Sequence, residues 1–219
     1  MKTAILLGAS GLVGSALLKQ LIDDPEYIRI ITIVRKPFKI NHPKIKQMVV
    51  DFNKPESFKD HIKGDVLFSS FGTTIKKAGS KKNQYKIDFT YQYEIAKAAS
   101  ENGVKHYVLV SSAGADPKSI IFYSKIKGEL DQEVRHLNFD HISILRPSML
   151  DGDRIEKRSG EQIGLKIMNA LLPWLPFFKK YRPIKDSIVA SAMINVVNSN
   201  NNKYKIYELE QIFDLAEKP

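Results

Sequence analysis

The chain has 219 residues, 43% hydrophobic and 26% charged, a balance that suits a globular protein with a sizeable core. It contains no cysteine, which excludes disulfides, thiolate nucleophiles and zinc–thiolate sites. The net charge of +10 comes from lysines scattered along the chain, clustered only at Lys76–Lys77 and Lys81–Lys82 and without any zinc-finger or RNA-recognition signature. A solvated basic surface is therefore expected first, a phosphate-bearing cofactor second, and no nucleic-acid partner.

The N-terminal apolar run Ala4–Leu7 is too short for an export core, and no stretch is long enough to span a bilayer. A cytoplasmic location is the corresponding expectation. The first strand is read at "TAILLGA" (3–9), followed by helical spacing at Leu12, Ala16, Leu17 and Leu21. Between them Gly8, Gly11 and Gly14 form G-x-x-G-x-x-G, a variant of the dinucleotide turn. Glycines there let the backbone approach a pyrophosphate, and the next helix offers free N–H groups and the positive end of its dipole. Ser10 adds a hydroxyl, and the cofactor turn is completed by Leu12 and Val13.

A second strand, "IRIITIVR" (28–35), ends in Arg35 and Lys36, where a dinucleotide fold discriminates at the adenosine ribose. Cations at that place favour a 2′-phosphate, so NADP is expected over NAD. The third strand, "IKQMVVDF" (45–52), ends in Asp51 and Phe52. Asp51 either accepts from an adenine amino group beside the flat Phe52 or caps the next helix. The fourth, "DVLFSSFG" (65–72), places Ser70, Phe71 and Gly72 as a cofactor wall.

A helix follows, marked by Tyr85, Phe89, Tyr93, Ala96 and Ala99. The fifth strand, "KHYVLVSS" (105–112), delivers Ser111 and Ser112, and a helix with Ile126, Leu130, Val134 and Leu137 comes next. The sixth strand is "HISILRP" (141–147). Near-continuous apolar strands alternating with helices imply α/β architecture: a doubly wound parallel sheet of Rossmann type in one domain over 1–219. Residues 151–185 break that rhythm and read as a small C-terminal insertion on the substrate side. There, Arg154, Arg158 and Glu161 are candidate contacts to a polar substrate. The patch at Leu172, Trp174, Leu175, Phe177 and Phe178, with basic residues after it, reads first as a lid, second as a homodimer contact and third as a membrane-surface contact.

The spacing Tyr-x-x-x-Lys occurs at Tyr93/Lys97, Tyr123/Lys127 and Tyr181/Lys185. Pro183 argues against a helical face for the last pair, and the first sits on a helix that packs against the sheet. Only Tyr123/Lys127 follows a strand that ends in hydroxyls. An isolated phenol, with a pKa of about 10, is a poor acid–base group at neutral pH. A neighbouring ammonium favours its phenolate form. The histidines at 42, 61, 106, 136 and 141 show no ligand spacing, so no metal site is expected.

"GASGLVGSALL", "VRK", "FGTTIKKAGS", "VLVSSAGAD", "YSKIKGELD" and "ILRPSMLDGDR" together resemble the short-chain dehydrogenase/reductase superfamily in an atypical form. Within it, the chain is most similar to bacterial oxidoreductase-like proteins related to the Tat-interacting protein, over roughly residues 3–200. The resemblance implies Ser112, Tyr123 and Lys127 as a catalytic set, Arg35 as the NADP-selecting residue, and Lys127 also on the nicotinamide ribose. Ser112 is preferred to Ser111 by its place past Val110. Pro147, Ser148 and Met149 are implied as packing on the nicotinamide. Two departures from the family are a short Ser-to-Tyr gap and the absence of a clearly placed tetrad asparagine. The implied activity is NADP-dependent hydride transfer to or from a small carbonyl or alcohol. The alternatives are a non-catalytic NADP-binding regulator or scaffold and, further off, a nucleotide-sugar epimerase.

Overall fold

The computed structural model describes residues 1–151, 182–199 and 202–217. Its strands are β1 (Lys2–Leu7), β2 (Tyr27–Val34), β3 (Ile45–Val49), β4 (Val66–Ser69), β5 (His106–Val110), β6 (His141–Arg146), β7 (Leu150–Asp151), β8 (Ile184–Lys185) and β9 (Tyr204–Glu208). Seven of these form one sheet in the order β3-β2-β1-β4-β5-β6-β9, with every pairing parallel. The expected doubly wound sheet is therefore present. It has one strand more than the sequence indicated, because the edge strand Tyr204–Glu208 exposes Lys205 and Glu208 and lacks a continuous apolar run.

The helices are α1 (Leu12–Asp23), α2 (Ile75–Ala78), α3 (Lys81–Tyr85), α4 (Tyr91–Glu101), α5 (Phe122–Val134), α6 (Asp186–Ser199) and α7 (Glu210–Ala216). A π-helical turn, Lys86–Thr90, joins α3 to α4. In β1 the period of two divides the side chains between two cores. Ala4 and Leu6 meet Leu17 and Leu21 of α1 and Met193 of α6, whereas Ile5 and Leu7 meet Ile95 of α4 and Leu130 of α5. Both sheet faces are thus covered, which is why the central strands read as unbroken apolar runs.

β7 and β8 pair in parallel, Leu150 with Ile184 and Asp151 with Lys185. The two ends of the insertion read from the sequence are therefore held together beside the main sheet. Arg154, Arg158, Glu161, Tyr181 and the patch from Leu172 to Phe178 lie outside the described residues. Lys185 stands in the strand β8, and Tyr181 of the same pair is outside the described residues.

Candidate functional site

The loops at the carboxyl ends of β1, β2, β3, β4 and β5 carry the site. At the end of β1, Gly8 has φ +96°, a conformation that favours glycine. A Cβ on Gly8 would lie 2.8 Å from the Phe71 nitrogen, and one on Gly14 would lie 2.0 Å from the Gly8 oxygen. The turn therefore closes only without side chains, with its backbone against the Ser70–Phe71 segment. Gly11 is the N-cap of α1 and no side chain caps the helix. The N-terminal end of α1 is thus a cradle of backbone donors, with the exposed Ser10 at its rim. The turn offers backbone rather than side chains: Leu12 is half-buried and Val13 is in the core.

At the carboxyl ends of β2 and β3 lies a cavity of about 550 Å³, lined by Arg35, Asp51, Phe52, Asn53, Lys77 and Lys86 among others. Asp51 accepts hydrogen bonds from the backbone and side-chain nitrogens of Asn53, at 3.0 and 3.1 Å. The Asn53 backbone bond foremost holds the Asp51 carboxyl below its ordinary pKa. The tyrosine hydroxyl of Tyr91 donates to Asn53 Oδ1 at 2.7 Å, and the Lys86 ammonium lies 5.6 Å from the Tyr91 ring centroid. Phe52 stacks on Phe71 with centroids 5.5 Å apart, so it forms the cavity wall and packs in the core at once.

Arg35 was expected at this place, whereas Lys36 is exposed and is not among the lining residues. Lys77 and Lys86 were not singled out as site residues. The Lys76–Lys77 cluster was the available signal, but nothing in the local sequence brings α2 and the π-helical turn to the end of β2. Gly72, past the end of β4, is exposed and is not among the residues lining this cavity. A Cβ placed on it would lie 3.5 Å from Asp88 Oδ1 and 3.7 Å from Lys127 Nζ.

Past β5 the two serines part company. The buried Ser111 hydroxyl donates to Asp131 Oδ2 at 2.9 Å, and Arg146 Nε donates to the same oxygen at 2.9 Å. Arg146 also donates to Glu208 at 2.9 Å. Burial pushes the Asp131 carboxyl above its ordinary pKa, against the pull of Ser111, Arg146 and Lys127. Ser112 is half-buried, and its hydroxyl donates to the neighbouring Ala113 carbonyl at 3.3 Å.

Tyr123 and Lys127 stand one turn apart on α5, Tyr123 40% exposed and Lys127 4% exposed. The lysine is thus turned inward, near Gly72, while the tyrosine stays at the surface. The close seating of α5 has a local cause: a Cβ on Gly128 would meet the Asp116–Pro117 backbone at 2.3 Å. Pro147 is buried, and its carbonyl accepts from Ala113 N–H at 2.9 Å. The Ser148 hydroxyl donates to the Arg182 carbonyl, and the Met149 carbonyl accepts from Ile184 N–H at 3.0 Å. The segment 147–149 therefore lies beside the Ser112 loop, with Ser148 and Met149 tied to the chain returning at β8.

A family model described as NAD(P)H-binding matches residues 8–169. The mitochondrial protein FMP52 of Candida albicans is 38% identical over 207 residues, covering 91% of this chain and 90% of its own. HTATIP2 of Rattus norvegicus is 32% identical over 219 residues, covering 98% and 89%. The Bordetella bronchiseptica enzyme WbmH in complex with NAD+ superimposes with TM-score 0.69 at 14% identity, over 98% of this chain and 79% of that one. The cytoplasmic expectation does not stand, because FMP52 relatives from several fungi are named mitochondrial. That expectation was drawn from the short apolar run Ala4–Leu7 and the lack of a bilayer-length stretch, and neither specifies a compartment. Among the described residues, no helix is long and apolar enough to cross a membrane.

Proposed function

Because the chain belongs to the NAD(P)H-binding family, an atypical form of the short-chain dehydrogenase/reductase superfamily, we propose that it is an NADP-dependent oxidoreductase acting on a small carbonyl or alcohol. The observation that carries the NADP part of this reading is the cavity where Arg35, Lys77 and Lys86 converge at the carboxyl ends of β2 and β3. Three cations from separate elements suit a phosphate on the adenosine ribose, since charge-assisted hydrogen bonds to an ionised group are about twice as strong as neutral ones. The pyrophosphate would rest on the uncapped N-terminus of α1, which the side-chain-free packing of Gly14 on the Gly8 carbonyl holds close to the end of β1.

When bound, the nicotinamide supplies or accepts the hydride. In the reducing direction the Tyr123 hydroxyl gives its proton to the carbonyl oxygen as carbon accepts the hydride. In the oxidising direction Tyr123 takes the proton back. Lys127 would hold the nicotinamide ribose through its ammonium, and Ser112 would orient the substrate oxygen. Ser111 is set apart from this chemistry by its bond to Asp131.

The test is a fluorescence titration with NADPH and NADH in parallel, followed by a carbonyl panel on the wild type and Tyr123→Phe. The expected outcome is tighter NADPH binding, turnover by the wild type, and loss of turnover with unchanged NADPH binding in the variant. Equal turnover by Tyr123→Phe overturns the mechanism. NADPH binding with no turnover on any carbonyl leaves a cofactor-binding regulator instead, and binding of neither nucleotide overturns the cofactor reading.

A further inference from the structure

Gln84, Asp88 and Gln92 follow one another at intervals of four, and all three are buried. They sit on α3, the π-helical turn and α4, the stretch that runs past the carboxyl end of β4. Each grips that end. The Ser69 hydroxyl donates to Gln92 Oε1 at 2.8 Å, and Gln92 Nε2 donates to the Asp88 backbone carbonyl at 2.7 Å. Asp88 Oδ1 accepts from the Thr73 backbone N–H at 2.6 Å, and Asp88 Oδ2 accepts from Gln84 Nε2 at 3.3 Å. Gln84 Nε2 also reaches the Thr73 carbonyl, at 3.4 Å.

A fully buried carboxylate is costly unless compensated by hydrogen bonds and a nearby cation. Asp88 has the hydrogen bonds, and the Lys127 ammonium lies beside the same glycine, Gly72. A Cβ placed on Gly72 would lie 3.5 Å from the Asp88 oxygen and 3.7 Å from the Lys127 nitrogen. Isolated π-helical turns within α-helices concentrate at functional sites, and this one carries the acid.

We propose that Asp88 is a positioning residue for the nicotinamide half of the cofactor, anchoring the Gly72–Thr73 backbone and balancing the Lys127 charge beside it. The proposal rests on the NADP reading above and goes beyond it by dividing the cofactor between two supports. In the sheet order, the adenosine cavity lies at β2 and β3, the pyrophosphate turn at β1, and Gly72 with Lys127 at β4 and β5. Asp88 therefore governs one end of the dinucleotide and Arg35 the other.

The experiment compares NADPH with adenosine 2′,5′-bisphosphate, which carries the phosphorylated adenosine but no nicotinamide riboside. The wild type, Asp88→Ala and Asp88→Asn are titrated with both. The expected result for Asp88→Ala is NADPH binding weakened about tenfold, the scale of a lost charge-assisted hydrogen bond, with the bisphosphate unchanged. Asp88→Asn keeps an acceptor for Thr73 N–H but not the charge, so its NADPH loss falls between the two, again with the bisphosphate unchanged. If Asp88→Ala fails to fold, the same comparison on Asp88→Asn decides. Equal weakening of both ligands reduces Asp88 to a structural residue and overturns the proposal, as does unchanged NADPH binding in both variants. If the wild type binds neither ligand, the NADP reading itself fails and takes this assignment with it.

Discussion

A side chain on Gly14 would begin 2.0 Å from the carbonyl oxygen of Gly8, so the two glycines fix the close return of α1 onto the end of β1. The neighbour is backbone, which cannot swing aside as a flexible side chain would. Gly14→Ala is therefore expected to cost the upper part of the usual overpacking range, about 1–3 kcal/mol or beyond, and to abolish NADPH binding. Thermal unfolding and an NADPH titration check both parts. An alanine variant with full stability and full affinity would mean that the turn is not packed as tightly as its geometry demands.

The three cations lining the cavity at the ends of β2 and β3 make a graded prediction. Lys77→Ala, Lys86→Ala and Arg35→Ala are each expected to weaken NADPH about tenfold while leaving NADH nearly unchanged, since only the former carries the 2′-phosphate. Added salt should weaken NADPH more than NADH in the wild type, and less so in each variant. Titrations of both nucleotides at low and high ionic strength measure this. Parallel losses for the two nucleotides would remove the 2′-phosphate from the cavity.

How much of this was legible follows the range of the interactions. The glycine turn was readable because strand, turn and helix are consecutive, and the central strands because burial on both faces leaves an unbroken apolar run. Lys77 and Lys86 were not, because the cavity is assembled from the ends of β2 and β3 together with α2 and the π-helical turn. The polar ladder Gln84, Asp88 and Gln92 was hidden by its neighbours. Tyr85, Phe89 and Tyr93 repeat at the same interval and stack at 5.0 and 6.0 Å, so the apolar period drew attention to the adjacent stripe. The aromatics are half-buried while the polar set lies deeper, because the β4 loop offers backbone groups that only amides and a carboxylate satisfy.

Gly128 tests the seating of α5 with opposite signs for two physical effects. In an unhindered helix interior, Gly→Ala would stabilise by about 1 kcal/mol through propensity. Here the added methyl would meet the Asp116–Pro117 backbone at 2.3 Å. Gly128→Ala is therefore expected to destabilise, by about 1–3 kcal/mol, with the loop that carries Ser112 displaced from the helix that carries Tyr123. Chemical denaturation gives the sign. A more stable variant would show that the loop yields freely.

The other end of the sheet carries a stacked pair of histidines. His106 and His141 stack with ring centroids 4.8 Å apart at the start of β5 and β6. Burial first, then His141, Lys2 and Lys105, hold the His106 pKa below its model-peptide value of 6.5, while Asp140 pulls the other way. The folded state thus binds the proton less readily than the unfolded chain. The stability tied to His106 is present above pH 6.5 and is lost as the pH falls from there through the lowered folded value. His106→Phe keeps a ring against His141 and removes this proton, so its stability should fall less steeply between about pH 7 and pH 5 than that of the wild type. Unfolding free energies across that range measure the difference. The same slope in both proteins would assign the acid sensitivity to other groups.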